Sequence, residues 1–135
     1  MIGTEVKPDF NYVNAYIRHK TEVDNILAKL KGFGVTDYIL ISNEGVPLSG
    51  SIVNKHMHEE TLAIMTATMY GAAATANGEL RKGSPNYVSL GSEDAISIIT
   101  KVGKGHILLV SGKPDLEAQI KNIHEVVQEV AAKLV

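Results

Sequence analysis

The chain has 135 residues, of which 44% are hydrophobic, so it is long enough for one domain with its own apolar core. The formal net charge at pH 7 is -2 and the lysines are scattered, which argues against a nucleic-acid-binding protein. The absence of cysteine excludes disulfides, cysteine-ligated metals and cysteine nucleophiles, and it fits a cytoplasmic location. Secretion is not expected, since Glu5, Pro8 and Asp9 stand where a signal peptide needs an apolar segment.

The sequence is interpreted as two parts. Residues 1–20 are predicted to be an N-terminal extension of the first helix, and residues 21–135 to be the domain itself. Phe10, Val13 and Ile17 have helical spacing, although polar residues and a proline interrupt the pattern.

The first helix of the domain is predicted from its capping and its apolar period. Thr21 and Asp24 resemble a capping box, and apolar residues then recur on one helical face between residues 23 and 30. Gly32 or Gly34 is expected to end this helix.

A hairpin follows. The apolar run Tyr38–Ile41 does not alternate with polar residues, which predicts a strand covered on both faces. A turn at Asn43–Gly45 leads to the returning strand Val46–Ile52, whose Pro47 is tolerable at a sheet edge.

A long helix is predicted from His56 to Leu80, with Glu59 and Glu60 near the positive end of its dipole. Residues 61–78 carry no charge. Their threonine, alanine and glycine content nevertheless makes them a poor membrane span.

The C-terminal part predicts three strands and a helix. The strands are Tyr87–Leu90, Ala95–Val102 and His106–Ser111, the last two joined by a tight turn at Gly103–Gly105. Asp115 is expected to cap the final helix. The order α-β-β-α-β-β-β-α predicts an α+β fold, in which a five-stranded antiparallel sheet has helices on both faces.

The long helix has two uncharged faces when its residues are placed at about 100° each. The face predicted to lie on the sheet contains Leu62, Met65, Met69, Ala72, Ala73, Ala76 and Leu80. The opposite face contains Ile64, Ala67, Gly71, Ala74, Thr75 and Gly78. Since one small domain has no second layer to cover this outer face, the pattern predicts a symmetric dimer with the two long helices packed along their small residues. The alternative is an alanine-rich helix with a bland exposed face.

The best candidate for a metal site is the group His56, His58 and Glu59 at the start of the long helix. His56 and His58 do not share a helical face and no further ligand is identifiable, so we expect a solvated helix start. His19, His106 and His124 have no partner that spacing identifies, so structural or surface roles are expected for them. We therefore predict no metal and no cofactor.

The segment Ser111-Gly112-Lys113 superficially resembles the end of a phosphate-binding loop. Ile107 replaces the first glycine of that motif, and Pro114 replaces the hydroxyl residue that holds magnesium. No catalytic residue is predicted, and the chain is not expected to be an enzyme.

Three segments resemble the roadblock/dynein light chain family, including its bacterial and archaeal members associated with Ras-like GTPases. They are the hairpin at residues 38–51, the long small-residue helix, and the strand at residues 103–110. The similarity covers roughly residues 21–134. The chain has Asn43 where many members have aspartate, and its N-terminal extension is not a core family feature.

The resemblance implies a profilin-like homodimer with a continuous sheet across two subunits. The contact would join the long helix and the third strand, which adds Tyr87, Val88, Ser89 and Leu90 to the expected interface. Family members act by binding other proteins. They modulate nucleotide cycling on a partner GTPase, or they scaffold motor and signalling complexes. The implied function is a non-catalytic regulator or scaffold of a small Ras-like GTPase. The alternatives are a structural adaptor without effect on nucleotide turnover, and a small-ligand sensor or metal enzyme.

Overall fold

The computed structural model describes residues 11–135. Half of the expected N-terminal extension, residues 1–10, lies outside this range, together with Glu5, Pro8 and Asp9, on which the expectation of no signal peptide rests. Five strands form one sheet in the order β2-β1-β5-β4-β3, and every neighbouring pair is antiparallel. The strands are β1 Val35–Ser42, β2 Pro47–Ser51, β3 Tyr87–Gly91, β4 Ile96–Val102 and β5 His106–Gly112.

Four helices cover the two faces of the sheet. They are α1 Asn11–Arg18, α2 Lys20–Ala28, α3 Glu59–Glu79 and α4 Ile120–Lys133, with short 3-10 helices at Lys29–Phe33 and Pro114–Gln119. The apolar residues of α1, α2 and α4 share one core cluster with one face of the sheet, and α3 packs on the other face. The predicted α+β class and the placement of helices on both faces are confirmed.

The central strand β1 shows why the apolar run at residues 38–41 lacks alternation. Leu40 points into the core beneath α2 and α4, whereas Ile39 and Ile41 point into the core beneath α3. All three side chains are buried. Since both faces of the strand are covered, both sets of alternating side chains must be apolar.

Two glycines fix the connections on either side of β1. Gly34 has a φ of +92° and ends the first helical region, as expected for one of the two candidate glycines. Gly45 has a φ of +85°, and its N–H donates to the Ser42 carbonyl at 2.9 Å. A Cβ at Gly45 would also come within 3.1 Å of the Ile64 Cα, so this turn holds the start of α3 close to the hairpin.

The expected capping residues are wrong in both helices. α2 begins at Lys20, which places Thr21 inside the helix, and the Asp24 side chain bonds to Tyr16, Ser49 and Lys20. Asp115 lies in the 3-10 helix that precedes α4 and gives no side-chain cap.

The N-terminal extension, over its described part, is a separate helix divided from α2 at His19. The long helix begins three residues later than predicted, at Glu59. Within residues 11–135, no helix is both long enough and apolar enough to cross a membrane.

Candidate functional site

The outer face of α3 is the most unusual surface of the described chain. The inner face is marked by Ala63, Thr66 and Tyr70, which are buried against the sheet. On the opposite side, Ile64 and Met65 are 57% and 55% exposed. No charged residue occurs between residues 61 and 78, so this exposed face lacks the Lys, Glu and Gln that normally solvate a surface helix.

The polar atoms of this face are already satisfied within the helix. The Thr68 hydroxyl donates to the Ile64 carbonyl at 2.8 Å, and the Thr75 hydroxyl donates to the Gly71 carbonyl at 3.0 Å. Threonines bonded in this way present their methyl groups outward. The outer face is therefore more apolar than its composition suggests.

Two glycines on the outer face have open space beside them in the described part of the chain. A Cβ at Gly71 or at Gly78 would meet no atom of the described residues within 4 Å. Glycine inside a helix costs about 1 kcal/mol relative to alanine. Contacts within residues 11–135 therefore give no steric reason for these two glycines, whereas close approach of another molecule would.

The strand β3 adds an open edge to this surface. It lies at the end of the sheet and pairs with β4 alone among the described strands. The other edge strand, β2, is protected by Pro47 and by a register shift opposite Leu40 and Ile41. β3 has neither device, and both Tyr87 and Leu90 are 43% exposed.

Most of the residues predicted to form the interface lie on these two exposed surfaces. They are Ile64, Gly71, Thr75, Gly78, Tyr87, Ser89 and Leu90. Ala67, Ala74 and Val88 are partly buried and pack against the α3-side core of their own chain.

The prediction of which α3 face lies on the sheet is partly wrong. Met65, Ala72, Ala76 and Leu80 were assigned to the inner face and are exposed. Helical periodicity does not separate the two faces because both are uncharged. The sequence signal for the inner face was Tyr70, since a large aromatic side chain packs against a sheet better than a face of small residues does.

A polar cluster missed by sequence reasoning joins α3 to the sheet and to β3. The Lys101 Nζ donates to the Asn43 Oδ1 at 2.6 Å and lies 5.9 Å from the centroid of the Tyr70 ring. The Tyr70 hydroxyl donates to the Pro85 carbonyl at 2.9 Å, just before β3. Burial lowers the pKa of Lys101, with Glu44 opposing this shift, and burial raises the pKa of Tyr70. The cluster holds the two exposed surfaces in a fixed relation.

The structure brings together no metal-binding group at the start of α3. His56, His58 and Glu59 are exposed, and within residues 11–135 no three histidine, aspartate or glutamate side chains are grouped to hold a metal. At the segment that resembles a phosphate loop, the Ser111 hydroxyl lies 3.1 Å from that of Ser97. That contact is between two neighbouring strands of the sheet.

The remaining histidines differ in their surroundings. His106 is buried and its Nε2 donates to the Tyr12 carbonyl at 2.9 Å, which gives it a structural position. His19 lies 3.6 Å from Glu22 at the start of α2, and His124 is exposed on α4.

Comparison with known proteins assigns the fold. The profile of the Roadblock/LC7 domain family matches residues 22–111. The chain therefore belongs to the Roadblock/LC7 domain family, and the resemblance noted in its sequence is confirmed.

Solved structures of this fold include MglB of Myxococcus xanthus, with a TM-score of 0.73 and 15% identity over 83% of this chain and 94% of that chain. The gliding protein MglB of Thermus thermophilus has a TM-score of 0.72 and 17% identity, over 97% of this chain and 96% of its own. A Roadblock/LC7 domain from Streptomyces avermitilis has a TM-score of 0.59 and 16% identity, over 77% and 87%. Identities this low establish a shared fold and nothing finer. A comparison with curated proteins finds no significant match.

Proposed function

We propose that the chain is a homodimeric binding module, without catalytic activity of its own, that regulates or scaffolds a small Ras-like GTPase in the cytoplasm. The observation that carries the dimer is the outer face of α3, which is exposed, uncharged and lined by glycines that one copy does not need. A second copy of the same face would cover it.

Packing of two such helices is physically favourable. Gly71 and Gly78 are seven residues apart, which is about 10.5 Å along the helix axis. Small residues at this spacing form a shallow groove that admits a facing helix at short distance. Ile64 and Met65 would lose their exposure in that contact, and burying a large apolar side chain contributes about 1.5–3 kcal/mol.

The charges at the ends of α3 favour an antiparallel arrangement. Glu59 and Glu60 lie in its first turn; its last residue is Glu79, and Arg81 and Lys82 come after Leu80, so residues 79–82 carry a net charge of +1. In an antiparallel pair, the acidic start of each helix lies beside the basic residues that follow the other. Opposite charges at such a rim contribute to register more than to affinity.

The edge of β3 supports the same symmetry. A two-fold axis beside β3 pairs this strand with its own copy in antiparallel orientation, which continues the sheet across both subunits. The free N–H and C=O groups of the edge then find partners.

The GTPase part of the proposal rests on what family resemblance implies for a roadblock domain. Such a dimer presents a surface that binds one conformation of the GTPase switch segments and thereby shifts its nucleotide cycle. This role requires no catalytic residue in the chain itself.

The test is to recover the GTPase that co-purifies with the tagged chain from its native cell and to measure nucleotide exchange and hydrolysis with and without the chain. A severalfold change in either rate supports the regulator. A GTPase that binds with unchanged rates indicates a structural adaptor. Failure to recover any GTPase, or GTP hydrolysis by the purified chain alone, would contradict the proposal.

A further inference from the structure

A cavity of about 390 Å³ lies between α4 and the strands β3 and β4. It is on the face of the sheet opposite α3, and it shares Tyr87 with the β3 edge that is proposed to pair with a second copy. Its volume lies in the range of small-molecule sites, which start at about 300 Å³. The cavity therefore has room for a ligand of modest size.

The floor and walls of the cavity are apolar. Ile98 of β4 and Ile123 of α4 are both 2% exposed, and they are joined by the partly buried Ile120 and the ring of Tyr87. Three branched aliphatic side chains and one aromatic ring form a surface that favours a hydrocarbon body.

Each polar residue of the lining can donate a hydrogen bond, although Asn86, Thr100 and a neutral His124 can also accept one. Lys121, His124 and the Asn86 side chain lie around the cavity, and no carboxylate is among the lining residues. The Thr100 hydroxyl is already bonded to the Asn86 carbonyl at 3.2 Å. An anionic group is the complement of an ammonium and an amide N–H placed together.

Lys121 is not neutralised by its own helix. Glu125 lies one turn further along α4 and Glu117 lies in the preceding 3-10 helix, yet none of the ion pairs formed within residues 11–135 includes Lys121. Its charge is available to a ligand at the cavity.

We propose that this cavity binds a small amphipathic carboxylate. The carboxylate lies against Lys121 and the Asn86 amide, and the hydrocarbon body lies on Ile98, Ile120 and Ile123. The site does not depend on the proposed GTPase role, since none of its lining residues belongs to α3 and Tyr87 is the one lining residue that it shares with the proposed dimer surface.

The test uses the full chain and octanoate as the probe, with 1-octanol as a neutral molecule of the same chain length. Octanoate is expected to bind at one site by calorimetry and to shift the methyl NMR signals of Ile98, Ile120 and Ile123. Lys121→Gln is expected to weaken octanoate binding about tenfold, the effect of one charge-assisted hydrogen bond, and to leave octanol binding unchanged. Lys104→Gln, in the exposed β4–β5 turn, removes the same charge away from the cavity and should have no effect.

Ile120→Trp fills the cavity from a partly buried position and should abolish binding of both molecules while the circular dichroism spectrum stays native. Absence of octanoate binding to the wild-type chain at millimolar concentration would overturn the proposal. Equal octanoate binding by the wild type and a folded Ile120→Trp variant would also overturn it. Equal effects of Lys121→Gln and Lys104→Gln on octanoate affinity would overturn it too.

Discussion

The ring of Tyr12 in α1 lies directly over Gly105 in the β4–β5 turn, where any side chain would overlap it. The neighbouring His106 meets the same ring edge-to-face, with ring centroids 5.5 Å apart, and donates to the Tyr12 carbonyl. This turn therefore anchors α1 to the end of the sheet.

Substitution of Gly105 by alanine should displace α1. Because the added methyl group occupies the space of the Tyr12 ring, we expect a loss of about 1–3 kcal/mol in the free energy of unfolding, measured in urea. Cleavage near α1 in limited proteolysis should also become faster. Gly32→Ala is the control, since a Cβ there meets no described atom within 4 Å. Equal stabilities of the two variants would show that α1 does not depend on this contact.

Acidification should destabilise the fold through His106. Burial holds the pKa of His106 below its ordinary value of 6.5; the bond to the Tyr12 carbonyl opposes this shift, Lys101 adds to it and Glu44 opposes it. The unfolded chain therefore takes up a proton at a higher pH than the folded chain. The stability that comes from a neutral His106 is complete above about pH 6.5 and is lost as the pH falls below that value.

The measurement is the free energy of unfolding at several pH values between 5 and 7.5. His106→Gln retains a donor for the Tyr12 carbonyl, and its free energy of unfolding should change less with pH in this range than that of the wild type. His124→Gln, at an exposed position on α4, should leave it as in the wild type. A wild-type chain whose stability does not change between pH 7.5 and 5 would contradict this account of His106.

Replacing Asp24 by asparagine should cost about 1–3 kcal/mol. Its Oδ1 accepts from the Tyr16 hydroxyl at 2.7 Å and from the Ser49 hydroxyl at 2.8 Å, and its Oδ2 accepts from Lys20 at 2.8 Å. Burial alone would raise the pKa of Asp24, but these bonds outweigh it and hold the pKa below 3.8. An amide replaces one acceptor by a donor and leaves one of these partners unpaired. The exposed Asp94→Asn is the control in denaturant unfolding, and equal midpoints would refute the role of the network.

The strands were predictable from sequence because their signals are local. Apolar runs bounded by turn residues such as Gly45 and Gly103 predict that five strands exist, although β1 extends from Val35 to Ser42, beyond the predicted Tyr38–Ile41. The short connections account for the β1–β2 and β4–β5 pairs, whereas the pairing of β1 with β5 joins distant parts of the chain. The helix caps were not predictable. Asp24, expected in a capping box, instead accepts hydrogen bonds from the hydroxyl groups of Tyr16 and Ser49, which belong to other elements. Local propensity does not contain such contacts.

The sequence predicts that α3 has an uncharged outer face, but it does not predict correctly which residues lie on that face. An uncharged helix indicates burial on all sides, but only the buried Tyr70 shows which side belongs to the sheet. The contact between Lys101 and Asn43 joins residues 58 positions apart, and it exists because β1 and β4 both flank β5. Spacing along the chain gives no indication of such a pair.

The measurement that tests the proposed dimer most directly is the mass in solution of the wild-type chain and of Gly71→Glu, by light scattering at micromolar concentration. Glutamate is a better helix former than glycine, so α3 should remain folded, which circular dichroism will check. In a dimer packed through α3, the new carboxylate would be desolvated without a partner at a cost of several kcal/mol, whereas about 1.4 kcal/mol already lowers affinity tenfold. The control is Gly32→Glu, the same change at another exposed glycine with open space around it. We predict dimers for the wild type and Gly32→Glu and a folded monomer for Gly71→Glu. A wild-type monomer, or a Gly71→Glu chain that remains a dimer, would show that α3 does not form the interface.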